Sequence, residues 1–370
     1  MEKLASRAAL LAACIWIAAA GTVDAQEVVK SPETPSPESV TRRWTAAAKA
    51  SARPMPLREV SGTPVPAPAS LTKVGAPGAV DGTPPAGAAR RVKRLAPVPE
   101  ELRETPAPQF GLGSTVFYAY PPPSTLYIPI LDYIYPAYPH TSVGKLFFSD
   151  FGSNFVCSAS SITSSGSWGA GNHQTVVTAG HCCSSGNGRF FTNFLFEPAH
   201  LAGAAPLGSW TANSATVLAA WHQNEDISRD VCVLQMRKLG GANINDAVGA
   251  LGYAFNQPLP QHYHATGWPQ AAPFDGKYLY IAAASDAETD TSAAGDFPFT
   301  HGIGSAMTGG SSGGAWIRQY QTYVGANQFN GLNSYKYTNP ARPLEMFGPY
   351  IDDVIINALL QAVATQPPVP

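Results

Sequence analysis

The chain is poor in charge. Asp, Glu, Lys and Arg make up only 13% of its 370 residues, and 23 basic side chains are set against 25 acidic ones. Without a basic surplus there is little to neutralise a phosphate backbone, so nucleic acid is excluded as the main partner. The stretch after Val143 is more acidic still, with nine Lys and Arg against 14 Asp and Glu. Long apolar runs are missing too. The run "AALLAACIWIAAA" near the N-terminus has 13 residues, where a helix needs roughly 20 to cross a bilayer. Cysteine is scarce: there are five, and Cys14 lies inside that run.

What is present divides the chain by composition. Glu2, Lys3 and Arg7 precede the apolar run, and the small residues Val23 and Ala25 follow it. Residues 1–25 are therefore expected to be a signal peptide cleaved near Ala25, giving a secreted protein with no membrane association after cleavage. Residues 26–112 hold 15 of the 34 prolines, with much Ala, Ser and Gly. That composition buries too little apolar area to offset ordering entropy, so a disordered or loosely folded pro-segment is expected. Its basic run "RRVKR", Arg90 to Arg94, reads on an exported chain as a cut site for a processing protease, ahead of a plain solvated run. The Pro- and Tyr-rich residues 113–142 are expected to wrap the following domain as an extension that buries its tyrosines.

Residues 143–364 change character. Short apolar runs such as "VGKLFF", "TVVTA", "VCVLQM" and "YLYIAAA" alternate with turn clusters, the pattern of an all-β domain. One helix is expected at its end. In Pro349 to Val363, Ile351, Val354, Ile355, Ala358, Leu359 and Val363 share a helical face, with Asp352 and Asp353 in the first turn. Residues 365–370 are a tail.

Three stretches carry chemistry. In "TVVTAGHCC", His181 stands beside Cys182 and Cys183, which admits a metal site or disulfides. With Cys157 and Cys232 they make four cysteines, an even number that on an exported chain favours disulfides, and vicinal pairing is strained. In "RDVCVLQM", Asp230 opens an apolar strand, where a carboxylate is costly to bury unless paired and a histidine N–H is a suitable partner. Glu225 and Asp226 lie in a polar turn and are expected to face water. In "MTGGSSGGAW", Met307 to Trp316, glycines flank two serines, and their freedom at positive φ lets amide N–H groups point inward. Taken alone, such a cluster is also what a flexible linker looks like. His262 and His264 alternate along one strand face without partners at metal-ligand spacing, and His173 and His222 sit in polar turns.

Together these residues resemble the chymotrypsin-like, or trypsin-like, serine peptidases, in particular secreted microbial members related to glutamyl endopeptidases. "TAGHC" around His181, the acid and apolar strand at Asp230, and "GGSSGG" in place of the family's G-D-S-G-G occur in the family's order over about Val143 to Val363. The resemblance implies a double β-barrel with a C-terminal helix, and a secreted serine endopeptidase acting through an acyl-enzyme. His181 would be the base, Asp230 its orienting acid and Ser312 the nucleophile, with the backbone N–H groups of Gly310 and Ser312 as oxyanion hole. It implies a Cys157–Cys182 disulfide, which leaves Cys183 and Cys232 to each other. The primary pocket would be lined by Ala306, Met307 and Thr308 and by Asn333 and Ser334. No cofactor or metal is called for, and protein or peptide substrates are the partners, with a processing protease at Arg94.

Departures from the family sharpen the expectation. Ser311 replaces the aspartate that in animal members pairs with a new N-terminus, so activation by that ion pair is not expected. Ala306 stands where trypsins carry an acid, six residues before Ser312, so the pocket should take uncharged, apolar or small side chains, with glutamate second. The G-x-S-x-G pattern of α/β-hydrolase esterases also fits Gly310 to Gly314, but there the histidine follows the serine, and all eight histidines here precede it. The remaining alternative is a catalytically inactive binding protein on the same fold.

Overall fold

The computed structural model describes residues 27–67, 75–86, 125–126, 137–165, 171–291, 299–321, 325–339 and 344–370. The signal-peptide stretch, the basic run at Arg90 to Arg94 and most of residues 113–142 lie outside them. The N-terminal part contributes strands β1 (Val28–Lys30), β2 (Arg53–Pro54), β3 (Arg58–Val60), β4 (Gly78–Val80) and β5 (Thr125–Leu126), with helices α1 (Pro37–Arg43) and α2 (Ala46–Ala50).

Six strands then close on themselves: β6 (Val143–Asp150), β7 (Ser153–Ser161), β8 (Thr175–Thr178), β9 (Thr192–Pro198), β10 (Trp210–Leu218) and β11 (Cys232–Met236). The sheet path runs β10, β11, β8, β7, β6, β9, and pairing of β9 with β10 shuts the barrel. Closure removes the open edges that such strands would otherwise present. The sequence favours this outcome because β8 ("TVVT") and β11 ("CVLQM") are largely β-branched or apolar and buried along their whole length.

The second sheet holds β12 (Gly252–Phe255), β13 (His262–Gly267), β14 (Tyr280–Asp290), β15 (Thr300–Gly304), β16 (Ala315–Arg318), β17 (Gln328–Leu332), β18 (Tyr335–Tyr337) and β19 (Glu345–Pro349). It curls until the end of β17 meets β19, where a Cβ on Gly348 would overlap Leu332 O. Helix α3 (Ala219–Asn224) and helix α4 (Ile244–Val248) lie in the connections of the first barrel and between the barrels. The architecture is all-β and chymotrypsin-like, with a short C-terminal helix.

That helix, α5, runs from Asp353 to Ala364 through a π turn at Ile356–Leu360. Asp352 caps it, accepting from Ile355 N–H at 2.9 Å, and its other oxygen pairs with buried Arg229 at 2.7 Å. The wider π turn rotates the buried face. Ile355, Ile356, Leu359, Leu360 and Val363 are buried, while Val354 and Ala358, expected on that face, are only partly covered. Ile162, Val177, Val231 and Val233 of the first barrel and Phe329 of the second receive it.

The expectation of a disordered pro-segment is corrected for its described part. β1 pairs with β10, β2 with β7, β3 with β18 and β4 with β12. Val40 and Trp44 are buried against Phe147, Val156 and Leu195, and Trp44 Nε1–H donates to Asn193 O at 2.7 Å. A proline-rich chain cannot build a core of its own, but a few apolar anchors, each contributing about 1.5–3 kcal/mol on burial, suffice on the surface of a preformed barrel.

Candidate active site

The register of the first barrel places the acid beside the histidine. Cys232 of β11 lies opposite Thr178 of β8 in an antiparallel pair. Continuing that register past the strand ends sets Asp230 opposite Gly180, one residue from His181. Gly180 is needed there: a Cβ would come within 2.9 Å of Asp230 Oδ1 and 2.7 Å of the Trp221 ring. Asp230 is fully buried and accepts three hydrogen bonds, from His181 N–H at 2.6 Å, from His181 Nδ1–H at 2.7 Å and from Ser334 Oγ–H at 2.5 Å. Burial alone would raise the Asp230 carboxyl, but the adjoining His181 ring and the three donors outweigh it and hold the group below the usual carboxylate range. With Nδ1–H committed to Asp230, His181 presents Nε2 on its other side. Trp221 packs edge-on against the ring at 6.3 Å.

Disulfides pin both ends of this arrangement. Cys157 of β7 is joined to Cys182, and Cys183 to Cys232. Sγ atoms of Cys157 and Cys182 lie close to the His181 ring, but in a disulfide they are not thiolates and make no metal site.

The loop between β15 and β16 brings Ser312 to the same place. Ser158 N–H donates to Ser312 O at 2.8 Å, next to Cys157, and a Cβ on Gly313 would lie 2.7 Å from Ala179 N and overlap Thr178 Oγ1. From the other side, Gly313 N–H donates to Asn333 O at 2.8 Å, beside Ser334. Gly310 has φ +95° and Gly313 φ +78°, backbone that glycine adopts at little cost. Ser312 Oγ and His181 Nε2 are both buried, and neither has a hydrogen-bond partner within the described residues. Ser311 ties the loop internally, its Oγ–H donating to Thr308 O at 2.8 Å, so a neutral bond stands where animal members use an ion pair.

Several residues expected to line the pocket also hold the loop in place. Asn333 is part of the loop's scaffold: its Nδ2 donates to Ser311 O and Thr266 O, both at 3.0 Å, and its Oδ1 accepts from Trp316 Nε1–H at 2.8 Å. Ser334 spends its hydroxyl on Asp230, a role for which the sequence carries no signal. Thr308 Oγ–H donates to Ala271 O at 2.6 Å. Ala306 and Met307 are buried, Met307 within the cluster of Tyr263, Trp316 and Met346. Lys336, absent from the sequence expectation, sends its Nζ–H to Ser305 O at 2.9 Å, next to Ala306, and burial pushes its amine down to about 7.

Three further histidines pack against neighbouring rings. His264 stacks on Tyr320 at 4.2 Å, and His222, expected in water, is buried against Phe190 with Nδ1 at 2.7 Å from Ser184 Oγ. His200 and His301 each make a further buried pair, Nδ1 to Glu197 Oε2 at 2.8 Å and Nδ1 to Asp286 Oδ1 at 2.6 Å, and His301 is ringed by Tyr263, Trp316 and Tyr350.

The sequence matches the Trypsin family model over residues 153–350, more than half of the chain. A search of curated proteins returns no match. Among solved structures, the fold is similar to protease Anisep from Arthrobacter nicotinovorans, at 37% identity and TM-score 0.55, covering 61% of this chain and 97% of that one. It is similar also to thermostable serine protease AL20 from an extremophilic microorganism, at 36% identity and TM-score 0.54, covering 61% of this chain and 99% of that one. On this match and this fold, the chain belongs to the trypsin family of serine endopeptidases.

Proposed function

We propose that His181, Asp230 and Ser312 are the catalytic triad of a secreted endopeptidase. The observation that carries this reading is the buried Asp230–His181 pair, joined by two hydrogen bonds and supported by a third from Ser334, with the unpaired Ser312 hydroxyl brought to the same cleft by the glycine loop. His181 Nε2 takes the Ser312 proton as Oγ attacks the substrate carbonyl. The N–H groups of Gly310 and Ser312 stabilise the oxyanion, and the imidazolium returns the proton to the departing amine as the C–N bond breaks. Water, deprotonated by the same Nε2, then cleaves the ester. Asp230 keeps the tautomer fixed and balances the imidazolium charge.

The pocket favours uncharged side chains. Ala306 and Met307 offer no carboxylate to an Arg or Lys, and the Lys336 amine beside Ser305 offers none either. Protonated below about pH 7, the Lys336 amine tolerates a glutamate, which ranks second. Cleavage of a peptide library by secreted, processed protein tests both parts. Cuts should follow apolar or small residues, and Ser312→Ala should reduce them by about 10³ or more. Dominant cleavage after Arg or Lys would overturn the pocket, and undiminished cleavage by the alanine variant would overturn the triad.

A further inference from the structure

An endopeptidase must admit a polypeptide to its nucleophile, yet Ser312 is 0% and His181 only 2% exposed. The N-terminal segment runs beside them. Met55 donates its N–H to Val156 O at 2.9 Å on the β7 side of the cleft, and its carbonyl accepts from Gly310 N–H at 3.0 Å. Gly310 N–H is one of the two donors assigned above to the oxyanion. Leu57 is buried in the apolar cluster that holds Met307, Trp316 and Met346. Arg58 N–H reaches Ser334 O at 3.4 Å, and residues 58–60 pair in parallel with 335–337. The Arg58 guanidinium lies over Trp221, the ring beside His181, at 5.7 Å, and pairs with Glu225. Arg53 lies over Phe155 at 4.9 Å. Residues 53–60 thus cross the cleft from the first barrel to the second, bonded to its rim on both sides.

We propose that "RPMPLREV", Arg53 to Val60, is a built-in inhibitory strap. It rests on the triad reading above. The strap occupies the oxyanion site with the Met55 carbonyl and covers the nucleophile, so the intact chain is inactive until the strap leaves. Its resistance to cleavage follows from its own sequence. The bond whose carbonyl sits on Gly310 N–H is Met55–Pro56, a tertiary amide with a ring carbon in place of the hydrogen, and Pro56 also restricts Met55, the residue before it. Anchors at Val40, Trp44 and β1 hold the strap in register and raise its effective concentration at the cleft.

Labelling of Ser312 by a fluorophosphonate tests this in the full chain. Leu57→Asp with Arg58→Glu removes the apolar contact and sets like charge against Glu225, without touching the triad. The double variant should label at least about tenfold faster than wild type, because opening of the strap limits access. A synthetic peptide of residues 50–62 should restore slow labelling and be recovered uncut, an effect that misfolding of the variant would not produce. Equal labelling of the two chains, or no slowing by the peptide, would overturn the strap. Absence of label in both chains, and also in secreted material that has lost residues 27–86, would overturn the triad instead. Label confined to that processed material would overturn only the strap as the decisive block.

Discussion

Asp230 draws together donors from two different parts of the chain. His181 comes from the first barrel, and Ser334 from the strand junction of the second. Removing the Ser334 hydroxyl leaves a buried carboxylate short of one bond, a cost of about 1–3 kcal/mol. Ser334→Ala should therefore lower stability at pH 7 by that amount and reduce kcat more than it raises KM. The sign with pH is fixed by the depressed Asp230 carboxyl. Its stabilising contribution is present above the unfolded value of about 3.9 and is lost as pH falls through the folded one. The deficit of the variant should then be full at neutral pH and shrink in acid, as urea unfolding across pH will show; a deficit constant with pH would contradict the bond. The Asp230 and His181 pairing was legible in the sequence because a carboxylate at the mouth of an apolar strand demands a partner. Ser334 was not, since a serine hydroxyl carries no cost that marks it in advance.

Among the elements, the glycine loop was the most legible and the N-terminal strands the least. Read with His181 and Asp230, "GGSSGG" implies positive φ, and the fold supplies it at Gly310 and Gly313. Gly313→Ala would add a Cβ that overlaps Thr178 Oγ1 at φ +78°. The expected result is a loss of about 2 kcal/mol or more, with Ser312 displaced and activity falling more steeply than stability. Thermal melting read beside peptide hydrolysis checks this, and a variant with wild-type activity would contradict the loop's role. The helix at the C-terminus was legible in place but not in phase. Its apolar positions fit an ordinary 3.6-residue period, and the π turn that brings Ile356 and Leu360 inward follows from docking on Ile162, Val177 and Phe329. Leu359→Ala should cost about 2–5 kcal/mol by chemical denaturation, and a cost under about 1 would place that face outside the core.

For the whole molecule, composition separated the peptidase domain from what precedes it but misjudged the state of residues 27–67. Sparse apolar residues and many prolines imply disorder only for a chain that must supply its own core. Here the barrels supply it, and proline serves a strand that crosses a cleft without being cut. The two barrels, closed by different strand paths, meet where one gives His181 and Asp230 and the other gives Ser312 and Ser334. The central claim is that this meeting point makes Ser312 a nucleophile. Its most direct test is the site of covalent modification: processed protein is treated with a fluorophosphonate, digested, and the labelled peptide sequenced by mass spectrometry. A single label on Ser312 is expected, lost in His181→Ala as well as in Ser312→Ala. Label on another serine, or labelling that survives His181→Ala at the wild-type rate, would contradict it.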